Sequence, residues 1–182
     1  MQIITGKYRA RKLESVAGET TRPTLARVKE SVFNLIQFKI ADSVVLDLFA
    51  GSGAFGAECV SRGAKKVVFV DKEKKAVLTI QKNTRGMTED FEILNQDFEQ
   101  ALKTLAAKNI KFDIVYLDPP YKAGYYQKAL ENLASLGLLN NGATIVIESD
   151  SIKTLQNLPN CYIIEKSKKY GIAFVDVLTY NC

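Results

Sequence analysis

The sequence predicts an α/β fold, a mostly parallel seven-stranded sheet with helices packed on it and an antiparallel hairpin at its C-terminal end. Three observations predict it. From Ser43 onward short apolar runs alternate with helix-period segments, the pattern of strands joined by helical crossovers. Residues 162–169 and 172–180 are joined at Tyr170-Gly171, too tight for a helical crossover, so they pair antiparallel. Asp47, Asp71, Asp97 and Asp118 fall at or near the carboxyl ends of four successive strands, the edge where open α/β sheets bind ligands.

Residues 2–13 alternate loosely around Gly6 and predict a short hairpin. Residues 14–21 are polar and predict a loop. Thr21-Arg22-Pro23-Thr24 is a helix start with Pro23 in the first turn, and Leu25, Val28, Val32, Leu35 and Ile36 keep helical spacing. Residues 1–40 are thus expected to be a basic hairpin-and-helix extension, and residues 41–182 the main domain. The first strand, residues 44–49, runs into the tight loop Ala50-Gly51-Ser52-Gly53 and a helix over 54–61. The second strand, 66–70, ends in Asp71, and a helix follows over 73–83. The third, 91–94, closes with Asn95-Gln96-Asp97-Phe98 before a helix over 99–107. The fourth, 112–117, leads into Asp118-Pro119-Pro120-Tyr121, where two prolines without N–H groups stop the ladder. A helix over 125–135, a fifth strand over 143–148 and a brief helix over 151–156 precede the final hairpin.

At 182 residues the chain fits one domain with a small appendage, and 47% hydrophobic residues suffice for a substantial core. No apolar run approaches the roughly 20 residues of a membrane span. The first residues carry no apolar signal core followed by a small-residue cleavage site, so the expected location is cytoplasmic. Cys59, Cys161 and Cys182 are far apart without a CxxC, which predicts buried reduced thiols and no disulfide or zinc site. The absence of histidine removes the commonest general base and metal ligand. Chemistry must then run on carboxylates, tyrosines, backbone groups or a reactive cofactor, and no metal is expected. The net charge of +5 favours a polyanionic partner. Seven cations against three carboxylates in residues 1–30 place most of that excess at one end. There Lys7, Tyr8, Arg9, Arg11 and Lys12 interleave cations with an aromatic, as nucleic-acid surfaces do.

Gly51, Gly53 and Gly56 fit G-x-G-x-x-G between a strand and a helix, which suits close backbone approach to a ligand. Nicotinamide-binding strands run apolar into the first glycine. Here Asp47 stands in the strand's end and would face phosphates unfavourably. It suits a ligand with an ammonium and no phosphate, such as S-adenosylmethionine (SAM). Asp71 is placed to meet two ribose hydroxyls. Asp97 is placed to accept from an adenine amine, with Phe98 offering a ring face, or to cap the next helix. Asp118, the Pro119 carbonyl and Tyr121 can hold an exocyclic amine while its base stacks.

The whole chain resembles the class I SAM-dependent methyltransferases, whose fold is Rossmann-like. Asp47-Leu48-Phe49-Ala50-Gly51-Ser52-Gly53 is similar to their cofactor loop, and Asp118-Pro119-Pro120-Tyr121 to the amino-methyltransferase signature. More narrowly it resembles the RsmD-like enzymes that methylate guanine N2 in 16S ribosomal RNA. Residues 3–13 and Arg22-Pro23-Thr24-Leu25-Ala26-Arg27-Val28-Lys29-Glu30 carry that closer likeness. The resemblance implies SAM as cofactor and 16S rRNA, or the small ribosomal subunit or its assembly intermediate, as partner. It implies that Thr21 and Arg22 help cover the methionine moiety, that Phe49 joins the cofactor site, and that Pro120 belongs to the catalytic stretch. A monomer is expected.

The chemistry expected is direct methyl transfer to guanine N2. An aryl amine is a poor nucleophile because its lone pair is delocalised into the ring. With its two hydrogens held by Asp118 and the Pro119 carbonyl, the nitrogen can pyramidalise towards the methyl carbon. The tetrapeptide is shared with adenine-N6 methyltransferases, which are the main alternative. A nicotinamide oxidoreductase is opposed by Asp47. A non-catalytic RNA-binding module is opposed by the intact glycines and Asp118.

Overall fold

The computed structural model describes residues 1–17, 23–120, 125–149, 158–171 and 173–182, with residues 23–27 described in backbone only. The elements are α1 (Pro23–Ile36), β1 (Val44–Leu48), α2 (Ala54–Ser61), β2 (Lys66–Asp71), α3 (Lys74–Asn83), β3 (Phe91–Asn95), α4 (Phe98–Ala107), β4 (Phe112–Leu117), α5 (Tyr125–Ser135), β5 (Leu139–Ser149), β6 (Tyr162–Tyr170) and β7 (Ala173–Tyr180). They form one seven-stranded sheet in the order β3-β2-β1-β4-β5-β7-β6. Strands β1 to β5 pair in parallel, and β7 lies antiparallel to both β5 and β6.

The apolar runs of β1, β2 and β4 are buried because helices cover both faces of the sheet. Val28, Val32 and Ile36 of α1 pack with α2 and Ile80 of α3 on one face. Leu102 and Leu105 of α4 and Leu130 and Leu133 of α5 cover the other. Ile3 and Leu13 belong to the first cluster, so the N-terminal segment shares the core of the α1 face.

Strand β5 starts at Leu139, four residues before the expected Ala143. Phe112 pairs with Leu139 and Ile114 with Thr144, and this irregularity absorbs Asn140-Asn141-Gly142, whose turn chemistry predicts a loop. The predicted N-terminal hairpin is reduced to one bridge, Gln2 with Lys12, around a turn. Gly6 is required there. It has φ +90°, and a Cβ would lie 1.8 Å from the Ser61 carbonyl oxygen. Of the three thiols expected to be buried, Cys59 is; Cys161 is half-buried and Cys182 exposed. The latter two flank the outer hairpin, where Cys161 still touches the edge of the core that α4 and α5 cover. Residues 151–156, expected to be helical, lie outside the described residues, as does Ile172.

Candidate active site

The strand order reverses between β1 and β4, and at such a switch point the crossovers diverge and leave a crevice at the carboxyl edge. A cavity of about 460 Å³ occupies it. From β1 to β3 and their loops come Asp47, Phe49, Gly51, Asp71, Asp97 and Phe98; from the end of β4 come Asp118, Pro119 and Pro120. Gly53, expected at the ligand, does not line the cavity. A Cβ there would crowd Ile80 at 3.0 Å, and one at Gly56 would meet Phe69 at 2.2 Å. Gly56 lets α2 settle on the sheet, and Gly53 lets the start of α2 close on α3. Gly51, with φ +52° and open space around it, is the one at the cavity wall.

The carboxylates of this half are held by main-chain amides. Asp47, 1% exposed, accepts from Gly56 N–H at 2.9 Å. Burial pushes its carboxyl up to about 7, against the pull of that amide. Asp71 accepts from Gly51 N–H and Glu73 N–H, both at 2.8 Å, one on each oxygen. Burial raises it too. Asp97 spends one oxygen as the N-cap of α4, accepting from Glu99 N–H at 3.0 Å. Phe49 has φ +74°, a strained conformation for a side chain of its size, held by hydrogen bonds from its own N–H and that of Ala50 to Val70 O. Its ring packs against Phe98 and Tyr125, with centroids 5.2 and 6.1 Å away.

Several residues at the cavity were not singled out by sequence reasoning. Gln96 is one, and its Oε1 is buried with no hydrogen-bond partner among the described residues. Lys29 is another, its side chain 10% exposed and its Nζ 3.3 Å from Glu58 Oε2. Burial lowers the Lys29 pKa against the attraction of Glu58. The signal was available: Lys29 follows Val28 and precedes Val32, inside the apolar stripe of α1. Glu148 is buried at the end of β5, where Tyr116 OH donates to Oε2 at 2.7 Å. It obeys the same rule as the four aspartates, an acid at a strand's carboxyl end. The Tyr116 ring stacks on Phe55, with centroids 4.1 Å apart and planes 7° from parallel. Burial, with Glu148 and Asp118 nearby, raises Tyr116 well above the phenol range.

Away from the cavity Glu58 is fully buried in α2 and fastens the N-terminal segment. It accepts from Ile4 N–H at 2.7 Å, Thr5 N–H at 2.9 Å and Arg62 Nε at 2.8 Å. Of the five residues expected at nucleic acid, three are engaged within the chain. Lys7 Nζ and Tyr8 OH donate to Glu89 at 2.7 and 2.8 Å, and Arg11 donates to Arg85 O. Arg9 and Lys12 are exposed. Burial works against Glu89, but Lys7 and Tyr8 hold its carboxyl down at about 2. Thr21, Arg22 and Tyr121 lie outside the described residues.

A family model described as conserved hypothetical protein 95 matches residues 1–179. The ribosomal RNA small subunit methyltransferase D of Haemophilus influenzae is 37% identical over 175 residues, 94% of this chain and 90% of its own. A solved Escherichia coli structure named as a methyltransferase, yhhF, is 30% identical with a TM-score of 0.86, covering all of this chain and 98% of its own. The structure of SMU.776 complexed with SAH (S-adenosylhomocysteine) shares the fold at 16% identity and a TM-score of 0.70, over 87% of this chain and 50% of its own.

Proposed function

The chain belongs to the conserved hypothetical protein 95 family, the RsmD-like class I methyltransferases, and from that premise we propose that it methylates guanine N2 in small-subunit ribosomal RNA, with SAM as methyl donor. The observation that carries the reading is the shared cavity. Acids suited to an ammonium and a ribose stand in the same space as Asp118-Pro119.

SAM fits the residues present. Gln96 Oε1 is a buried acceptor lacking a donor among the described residues, as an adenine amine would supply. Asp47 is a buried carboxylate lacking a salt-bridge partner among the described residues, as an α-ammonium would supply. When bound, SAM supplies a methyl group activated by its sulfonium.

The chain's own residues do the rest. Asp71 keeps lone pairs for the ribose hydroxyls while bracing Gly51. Gln96 and Asp97 accept from the adenine amine, and Phe49 and Phe98 flank its ring. Thr21 and Arg22 cover the methionine end. Asp118 and the Pro119 carbonyl each accept a hydrogen of the target amine, which frees its lone pair from the ring. Pro120 fixes the turn that aims that carbonyl. Tyr121 is the platform for the extruded base, where stacking is worth roughly 1–3 kcal/mol. The methylated amine is acidic until it loses a proton, so no histidine is needed. Arg9 and Lys12 take phosphates, while Lys7, Tyr8 and Arg11 set the shape of that surface.

Labelled SAM is supplied with small subunits from a strain lacking the enzyme, and the nucleosides are separated. Label is expected in N2-methylguanosine. Label in N6-methyladenosine would establish the adenine alternative instead.

A further inference from the structure

Glu148 is the cavity's most deeply buried acid at the target end, and nothing in the reaction so far uses it. It lies beside Asp118. Strands β4 and β5 run parallel with Leu117 paired to Ile147, so Asp118 and Glu148 are the next residues along neighbouring strands. Adjacent strands are roughly 5 Å apart, which brings the backbones of the two acids side by side at one edge. Both line the cavity.

The Glu148 carboxylate is held rigidly. Tyr116 OH donates to Oε2 at 2.7 Å, and the Tyr116 ring is itself locked by its stack on Phe55. Tyr126 OH donates to the Glu148 carbonyl at 2.8 Å and fixes the backbone. Among the described residues Tyr116 is the one donor to that carboxylate. An ionised carboxylate offers about four lone-pair directions, and burying it with one donor is costly. A ligand with a second donor would relieve that cost.

We propose that Glu148 selects the base, accepting the N1–H of guanine beside the N2 amine held at Asp118. This rests on the guanine reading above. Guanine presents N1–H and the N2 hydrogens as contiguous donors, which two adjacent carboxylates match. Adenine presents its amine beside a bare N1, whose lone pair meets the Glu148 carboxylate with repulsion. Asp118 thus recognises an amine and Glu148 recognises which base carries it. A site built to bond a substrate N–H rejects the analogue that lacks it, because its own acceptor is left unpaired.

The test uses 2-aminopurine, which keeps the amine of guanine and lacks N1–H. The methylated guanosine is first located with labelled SAM. Small subunits are then reconstituted with guanosine or 2-aminopurine riboside at that position, and kcat/KM is measured on each. The wild-type protein is expected to prefer guanosine by about tenfold or more. Glu148→Gln has one acceptor oxygen for two donors, so it should lower the rate on guanosine and narrow the preference, with SAM affinity unchanged. Tyr116→Phe keeps the carboxylate but frees it from its donor, so it should lower the rate on guanosine while leaving guanosine the preferred substrate. If Glu148→Gln does not fold, Glu148→Asp withdraws the charge by one methylene and should narrow the preference in the same direction. A preference equal in wild type and variant, or none in wild type, overturns the assignment while leaving guanine methylation standing. Absence of N2-methylguanosine from wild-type reactions overturns both.

Discussion

The two halves of the cavity are built differently. At the ends of β1 to β3, Asp47, Asp71 and Asp97 are held by backbone N–H groups of the glycine loop, of the β2–α3 connection and of the first turns of α2 and α4. At the ends of β4 and β5 the acids are adjacent through the sheet, and Glu148 is held by a tyrosine side chain 32 residues away. Main-chain amides are present whatever the side chains are, so the first half keeps its shape as long as its loops do. The second half depends on particular side chains and can be retuned by substitution. The difference suits a half that holds an invariant small molecule and a half that discriminates among bases.

The largest test of that contrast is Asp118→Ala. It should lower kcat by about 10²-fold or more, as removing one positioned polar group does, while SAM affinity stays within a few-fold. Single-turnover rates and calorimetry read the two effects separately. Loss of SAM binding in this variant would break the division into halves.

Asp71→Ala should act in reverse, weakening SAM binding with the larger part of its effect in KM. It also strips the acceptor from Gly51 N–H and Glu73 N–H, costing roughly 1–3 kcal/mol of stability. Calorimetric titration and thermal melts check both, and a variant that bound SAM normally would remove Asp71 from the ribose.

A smaller effect sharpens the first half through pH. With the Asp47 carboxyl raised to about 7, binding an ammonium must expel a proton below that pH. SAM affinity should therefore fall as pH drops from about 7, by at most about tenfold per unit, and Asp47→Asn should flatten the profile. The sign for folding is opposite. A raised carboxyl favours the folded state fully below its unfolded value near 3.8 and loses that contribution as pH rises through about 7.

The smallest effect lies outside both halves. Neutralising Arg9 and Lys12 should leave SAM binding intact and reduce the log–log salt slope of RNA binding by roughly 0.7 to 0.9 for each phosphate left unpaired. An unchanged slope would mark the pair as an ordinary solvated surface.

The strands and helices from β1 to β4 are legible in the sequence because each is a local pattern with its own start and stop. The start of β5 is not, because Asn140-Asn141-Gly142 carries turn chemistry that pairing with β4 overrides. Asp47, Asp71, Asp97 and Asp118 are legible because a strand's end can be read from the residues on either side of it. Gln96 is not, because its significance lies in being buried in the cavity; Lys29 and Glu148 carry a local signal, a cation in the apolar stripe of α1 and an acid at a strand's carboxyl end, but only burial shows that they share that cavity. Lys7, Tyr8 and Arg11 read as free cations and an open ring, whereas the fold sets Glu89 and the Arg85 carbonyl, more than 70 residues along the chain, beside them.

The sequence by itself determined the alternation of elements, the glycine loop, the acids at the strand ends and the proline stop after β4. Those depend on dihedral preference, hydrophobic period and missing N–H groups, all properties of neighbouring residues. Only the tertiary structure decided which glycine faces the cavity, which cations stay open to a partner, and that Glu148 stands beside Asp118. Those depend on strand order, register and burial, and burial is fixed by residues distant in sequence that close over a side chain and remove it from water.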